Sequence, residues 1–168
     1  MEIYHGKRLS IEQRTIRLAS GEEKEKIIVH PGNAVAILPI EGDRCKLLKQ
    51  FRYAVGGYIV EVPAGTMEDG ETPVETAHRE LIEETGFGAC TMIPRGFIYT
   101  TPGFTDEKIF LFEARDLFLS SEFSKDEDEM IEVFEVALRE IDQMIHNGTL
   151  VDAKTICLVH SCGVYHAP

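Results

Sequence analysis

The sequence predicts an α+β domain built around a mixed sheet. Three observations point there. Short apolar segments with period-two alternation recur in pairs joined by turn residues, the pattern of β-hairpins. Few stretches carry helical spacing. Hydrophobic residues make up 43% of 168 positions, enough for one buried core. Strands in hairpins with few helices argue against a doubly wound parallel sheet.

Residues 1–30 read as two or three short strands, with "IEQRTIRL" and "EKIIVH" flanking the charged turn "GEEKE". His30-Pro31-Gly32 breaks the pattern and separates a small N-terminal β module, 1–30, from a main domain, 31–168. "NAVAILPI", the turn "EGD" and "RCKLLKQFRYA" form a hairpin. "GGY" is a second turn, and "YIVEVPAG" a strand ended by Pro63. A helix then runs from Thr72 to Thr85. Thr72 caps it, Pro73 suits its first position, Glu75 closes a capping box and Gly86 stops it. Val74, Ala77 and Leu81 are expected to form its buried face, widened by Ile82.

"GACTMIPRGFIYTT" and "EKIFLFEARDL" are strands around the loop "PGFTDE". "SKDEDE", 124–129, is an acidic loop, and "MIEVFEVA" a strand. "LREIDQMIHNG" is a helix closed by Gly148, and Asp152 caps a last helix through about Cys162.

The formal net charge is −12, which argues against nonspecific nucleic-acid binding and against docking on anionic lipid. It leaves room for a phosphate-bearing substrate, because a bound divalent cation inverts the local charge. The four cysteines form no CxxC pair and read as reduced thiols. Met1 to Ser20 alternates charged and apolar residues, unlike a secretory leader, and no apolar run approaches the ~20 residues of a membrane span. A cytoplasmic protein is expected.

Glu80, Glu83 and Glu84 share one face of the first helix, where like charges are mutually destabilising. Arg79 lies one turn before Glu83, but one arginine cannot neutralise three carboxylates. A bland solvated face is one reading. A hard-cation site for Mg²⁺ or Mn²⁺ is the other, with the cation supplying the missing partner. Spacing decides between them. Gly65, five residues, Glu71, seven residues, Arg79-Glu80, apolar Leu81, one residue, Glu83-Glu84, one residue, Gly86 and apolar Phe87 follow one another. This resembles the Nudix hydrolase signature GX5EX7REUXEEXGU at every fixed position. Seven such identities arise by chance on the order of once in 10⁸ placements.

The resemblance implies an α/β/α sandwich around a mixed sheet, covering about residues 30–165, and hydrolysis of nucleoside diphosphates linked to another group. It implies Glu80, Glu83 and Glu84 as metal ligands, joined by the backbone carbonyl of Ala64, with two or three Mg²⁺ (or Mn²⁺) ions per site. Arg79 would orient Glu83, and Glu71 would act as a structural partner at the loop–helix junction. Pro102, sixteen residues past Gly86, together with "VEVPAG", "KQFRYA" and "LVDAKT", looks like the ADP-ribose pyrophosphatase branch. In that branch an N-terminal sheet module helps form a homodimer, often by exchange between subunits, and completes the substrate site.

Several further residues follow. Arg52 is a candidate for the substrate phosphates, or an ordinary strand arginine. Glu61, a lone carboxylate in an apolar strand, needs a partner: the substrate, Arg52 or a structural ion pair. Phe104 or Phe51 could stack on adenine, and Glu107 contact the substrate or support the site. In this branch a loop glutamate is the usual general base, which here favours Glu127, with Glu129 next. None of the six histidines shows a ligand pattern. The expected reaction is cleavage of ADP-ribose to AMP and ribose 5-phosphate. Alternatives are another nucleotide sugar such as ADP-glucose or GDP-mannose, then a flavin or dinucleoside polyphosphate substrate. A non-catalytic ADP-ribose sensor is the reading from another class.

Overall fold

The structure, a computed structural model, describes residues 1–121 and 131–164. Three strands, β1 (Glu2–His5), β2 (Ser10–Arg17) and β3 (Glu23–His30), form a separate antiparallel sheet. The N-terminal segment thus has the strands that its alternation foretold, three in number.

The main sheet contains β4 (Ala34–Glu41), β5 (Arg44–Arg52), β8 (Phe87–Tyr99), β9 (Lys108–Leu119) and β10 (Ile131–Ala137), in the order β10-β5-β4-β9-β8. Its β4–β9 pair is parallel, while β4–β5, β5–β10 and β8–β9 are antiparallel, so the sheet is mixed as expected. Helix α1 (Pro73–Thr85) covers one face; α2 (Leu138–His146) and α3 (Ala153–Ser161) cover the other.

Strand β4 explains the layering. Val35 and Ile37 pack with Ala77 and Leu81 of α1, whereas Ala36, Leu38 and Ile40 pack with Ile141 of α2 and Leu158 and Val159 of α3. A strand buried on both faces reads as a continuous apolar run, and "AVAILPI" is one. No helix among the described residues is long and apolar enough to cross a membrane.

Two expectations need correction. "YIVEVPAG" is not one strand: β6 (Gly57–Glu61) pairs with β5, and β7 (Ala64–Thr66) pairs with β4. The chain changes partner at Val62-Pro63, where proline has no N–H for a ladder and the Pro63 carbonyl instead accepts from the Ile37 amide. In α1, Val74 is 41% exposed and not part of the buried face. Thr76, Ala77, Leu81, Glu84 and Thr85 are buried instead, because Thr76 and Glu84 find hydrogen-bond partners inward. The caps of α1 are as read: Thr72 accepts from the Glu75 amide, Glu75 returns a bond, and Gly86 takes the left-handed conformation at φ 76°.

Candidate active site

Helix α1 places the box side chains. Its start is fixed by the capping box, and the preceding loop is anchored through Glu71. The Glu71 carboxylate accepts from Arg79 Nε at 2.8 Å and Nη2 at 2.9 Å, from the Glu68 amide at 3.0 Å and from the Thr76 hydroxyl at 2.8 Å. Those bonds, Arg79 first and then the Glu68 amide, pull its pKa down to about 2. Glu71 therefore sits at the loop–helix junction as a structural anion.

Arg79 extends the network. Its Nη1 donates to Glu80 Oε1 at 2.7 Å and to Glu83 Oε2 at 2.9 Å, and its Nη2 also reaches the Thr66 carbonyl. The third box carboxylate, Glu84, accepts from the Ala64 amide at 2.7 Å, which ties α1 to β7. Gly65 is where the two elements touch. A Cβ there would fall inside the Glu80 carboxylate, so only glycine lets Glu80 lie against the β7 backbone.

Ala64, Arg79, Glu80, Glu83 and Glu84 all line one cleft of about 960 Å³. Its other wall comes from the N-terminal sheet and linker, through the β1–β2 turn and residues 30–32. The donor set here is all oxygen, three carboxylates and a nearby backbone carbonyl, which fits a hard divalent cation. Among the described residues no three acidic side chains converge into a closed coordination shell, and Arg79 bridges Glu80 and Glu83. A cation would compete with Arg79 for these oxygens.

The remaining expected residues lie outside that lining. Arg52 grips Glu61 with Nε and Nη2, both at 2.8 Å, and Lys154 binds the same carboxylate. Glu61 is fully buried, whereas the Arg52 side chain is 38% exposed. Burial works against the Arg52 charge, but the Glu61 contact overrides it and raises the pKa. Of the partners considered for Glu61, the structure supplies Arg52 and, in Lys154, a structural ion pair. Phe104 is exposed, and its carbonyl accepts from the Val29 amide at 2.8 Å. Glu107 accepts from the Thr100 hydroxyl at 2.6 Å, bracing the loop that contains Pro102. Phe51 packs edge-on against Tyr53 and Tyr58. Glu127 and Glu129, the candidate bases, lie outside the described residues.

The sequence reading did not single out Lys154 or Thr155. Asp152 caps α3 by accepting from the Thr155 amide and hydroxyl, Thr155 accepts from the Val62 amide, and Lys154 spans Asp152 and Glu61. "LVDAKT" thus braces the point where the chain passes from β6 to β7. The buried charge of Glu61 was the available signal, since a carboxylate there demands a cation.

A model of the NUDIX domain matches residues 30–159. An ADP-ribose pyrophosphatase of Bacillus subtilis (strain 168) is 40% identical, over 92% of this chain and 84% of that protein. A methanol dehydrogenase activator of Bacillus methanolicus is 36% identical, over 94% of this chain and 86% of that protein. A crystal structure described as an ADP compounds hydrolase superposes with a TM-score of 0.88 at 22% identity, covering 98% of this chain and 90% of that one. At that identity the likeness shows the shared fold.

Proposed function

The chain belongs to the NUDIX domain family, and from that premise we propose that it hydrolyses the pyrophosphate bond of ADP-ribose, giving AMP and ribose 5-phosphate. What carries the reading is the 40% identity, across nearly the whole chain, to a protein described as an ADP-ribose pyrophosphatase. The box side chains Arg79, Glu80, Glu83 and Glu84, which line one cleft, support it.

Divalent cations are generally required in this family, and Mg²⁺ or Mn²⁺, two or three ions per site, is the specific proposal. Glu80, Glu83, Glu84 and the Ala64 carbonyl would hold them. When bound, such a cation neutralises pyrophosphate charge and acidifies water. The chain's own residues do the rest. Arg79 keeps Glu80 and Glu83 directed at the cleft, and the Ala64 amide fixes Glu84. Arg52, aligned by Glu61, offers its remaining Nη1 to a phosphate oxygen. Glu127, or Glu129 after it, would take the proton of the attacking water. Phe104 or Phe51 would stack on adenine, and Glu107 would contact the substrate or support the site. No covalent intermediate is needed, so no serine or cysteine nucleophile is assigned.

The N-terminal module, residues 1–30, is proposed as a homodimer contact. The exposed Ile3, Tyr4 and Ile27 on its sheet support this. A cytosolic setting belongs to the same proposal, supported by four free cysteines.

The test is a hydrolysis screen with Mg²⁺ across ADP-ribose, ADP-glucose, GDP-mannose and nucleoside triphosphates, with products identified directly. Selective release of AMP and ribose 5-phosphate is the expected result. Activity confined to another nucleotide sugar would keep the chemistry and replace the substrate. Tight ADP-ribose binding without turnover would establish a sensor, and Glu83→Gln would then have no rate to abolish.

A further inference from the structure

We propose that the first turn of α3 is a positioning brace for the active site, in which Thr155 holds the backbone that leads to the Ala64 carbonyl while Lys154, through Glu61, sets the charge and place of Arg52. The inference rests on the function proposed above, where Ala64 is a cation ligand and Arg52 a phosphate contact. It gives roles to two residues outside the cleft lining.

Consecutive residues of α3 grip consecutive residues at the end of β6. Lys154 Nζ binds the Glu61 carboxylate, and the Thr155 hydroxyl accepts from the Val62 amide at 2.9 Å. Asp152 ties the two grips together. Its Oδ1 accepts from Lys154 at 3.1 Å, and its Oδ2 accepts from the Thr155 hydroxyl at 2.6 Å and amide at 3.0 Å. The Thr155 hydroxyl proton is thereby spent on Asp152, which leaves its oxygen as the acceptor for Val62. Glu61, Val62 and Thr155 are fully buried, so water does not stand in for these bonds.

The gripped segment leads straight into the cleft. β6 ends at Glu61 and β7 begins at Ala64, so Val62 and Pro63 belong to neither strand. Three successive residues are each tied to a different element. The Val62 amide is held by α3, the Pro63 carbonyl by the Ile37 amide of β4, and the Ala64 amide by Glu84 of α1. Ala64 comes only two residues after the Thr155 contact, so releasing Val62 loosens the approach to the proposed ligand. Residues that orient a metal ligand without touching the metal change affinity by about 10- to 100-fold. Lys154 acts on the other partner. Together Arg52 and Lys154 balance Glu61 and Asp152, and without Lys154 one carboxylate is in excess. Glu84 and Asp152 both act on the Arg52 charge, which places Arg52 beside the box. A phosphate approaching Arg52 would then meet net negative charge.

Mn²⁺ calorimetry and ADP-ribose kinetics on Thr155→Val and Lys154→Met separate the two grips. Thr155→Val should bind Mn²⁺ about tenfold more weakly and need correspondingly more Mn²⁺ for half-maximal rate. Once the metal saturates, its KM should stay within about threefold of wild type. Lys154→Met should bind Mn²⁺ as wild type does, raise KM about tenfold and leave kcat within about threefold. Thr155→Ser keeps the hydroxyl and Lys154→Arg the charge, so both should restore wild-type values. Melting temperature reports whether the variants stay folded. A brace serving stability alone would lower the melting temperature and leave Mn²⁺ affinity and KM at wild type. That result overturns the inference while leaving the function standing, as does loss of Mn²⁺ affinity in both variants alike. Should Thr155→Val fail to fold, Lys154→Met decides, since a wild-type KM there overturns the inference. If the wild type turns over no nucleotide, the function fails separately. Mn²⁺ binding by Thr155→Val and pyrophosphate binding by Lys154→Met, each about tenfold weaker than wild type, then remain the required results.

Discussion

Arg79 and Glu71 are joined by two parallel bonds, Nε to Oε1 at 2.8 Å and Nη2 to Oε2 at 2.9 Å, eight residues apart across the start of α1. The same guanidinium holds Glu80 and Glu83. One side chain thus couples the loop that begins at Gly65 to the acidic face of the helix. Arg79→Lys keeps the charge but loses the fork. It should lower kcat/KM for ADP-ribose by about 10- to 100-fold, as loss of a group that orients ligands does. A wild-type rate would remove Arg79 from that role.

Glu71 makes a separate prediction about acid stability. Its folded pKa, about 2, lies below the ordinary 4.5. A depressed carboxylate stabilises the fold above its unfolded value and loses that contribution as pH falls from about 4.5 towards about 2. Urea unfolding of Glu71→Gln should therefore show a shallower acid decline than wild type in this window. Parallel curves would show that another group dominates there.

Gly65→Ala tests the contact between β7 and α1. The new methyl would overlap the Glu80 carboxylate, which lies where the Cβ must go. The overlapped atoms are the far end of a flexible side chain, so the fold should absorb the methyl while the Glu80 carboxylate swings aside. Displacement of one ligand by about 1 Å should cost on the order of a hundredfold in rate. Mn²⁺ titration by calorimetry should show weaker binding in the folded variant. Unchanged Mn²⁺ affinity would mean that Glu80 does not serve as a ligand.

How legible this was depends on the range of the interactions. The α1 helix could be read residue by residue, because Thr72, Pro73, Glu75 and Gly86 act within a few positions of one another. Its buried face was misjudged at Val74 because apolar spacing cannot show that Glu84 will be drawn inward by the Ala64 amide, twenty residues away. Glu61 stood out as an anomaly, but its partner Lys154 is 93 residues later. The β6–β7 division is also nonlocal, since it depends on β5 and β4 separating to receive one strand each.

The Glu61 cluster should matter for stability as well as alignment. Glu61→Gln would leave Arg52 and Lys154 facing a neutral amide in a buried position. Stranding buried charge costs about 3–5 kcal/mol, and the partial exposure of Arg52 places this case near about 3. Denaturant unfolding checks the magnitude. Adding Lys154→Met to a Glu61→Leu chain should recover part of the loss, because fewer charges then remain unpaired. Strict additivity of the two substitutions would contradict a shared cluster.

His30 connects the two sheets and gives a dependence on alkaline rather than acid pH. Its Nδ1 lies 2.6 Å from Asp106 and its Nε2 3.3 Å from Glu12. Asp106 chiefly raises its pKa above the ordinary 6.5; burial opposes this, and Glu12 adds a smaller upward pull. Glu12 is itself held at about 2, first by Arg14 and also by His30, and so stays charged. A raised histidine stabilises fully below 6.5, where it is protonated folded or unfolded, and loses that contribution as pH rises through the folded value. The melting temperature of wild type should therefore fall relative to His30→Gln as pH increases from about 6.5 through that value. Asp106→Asn should lower the His30 titration midpoint observed by NMR. A midpoint at or below 6.5 in the wild type would show that the paired carboxylates do not hold His30 charged, and the link between β3 and the Pro102 loop would then rest on the Val29 and Phe104 backbone bond.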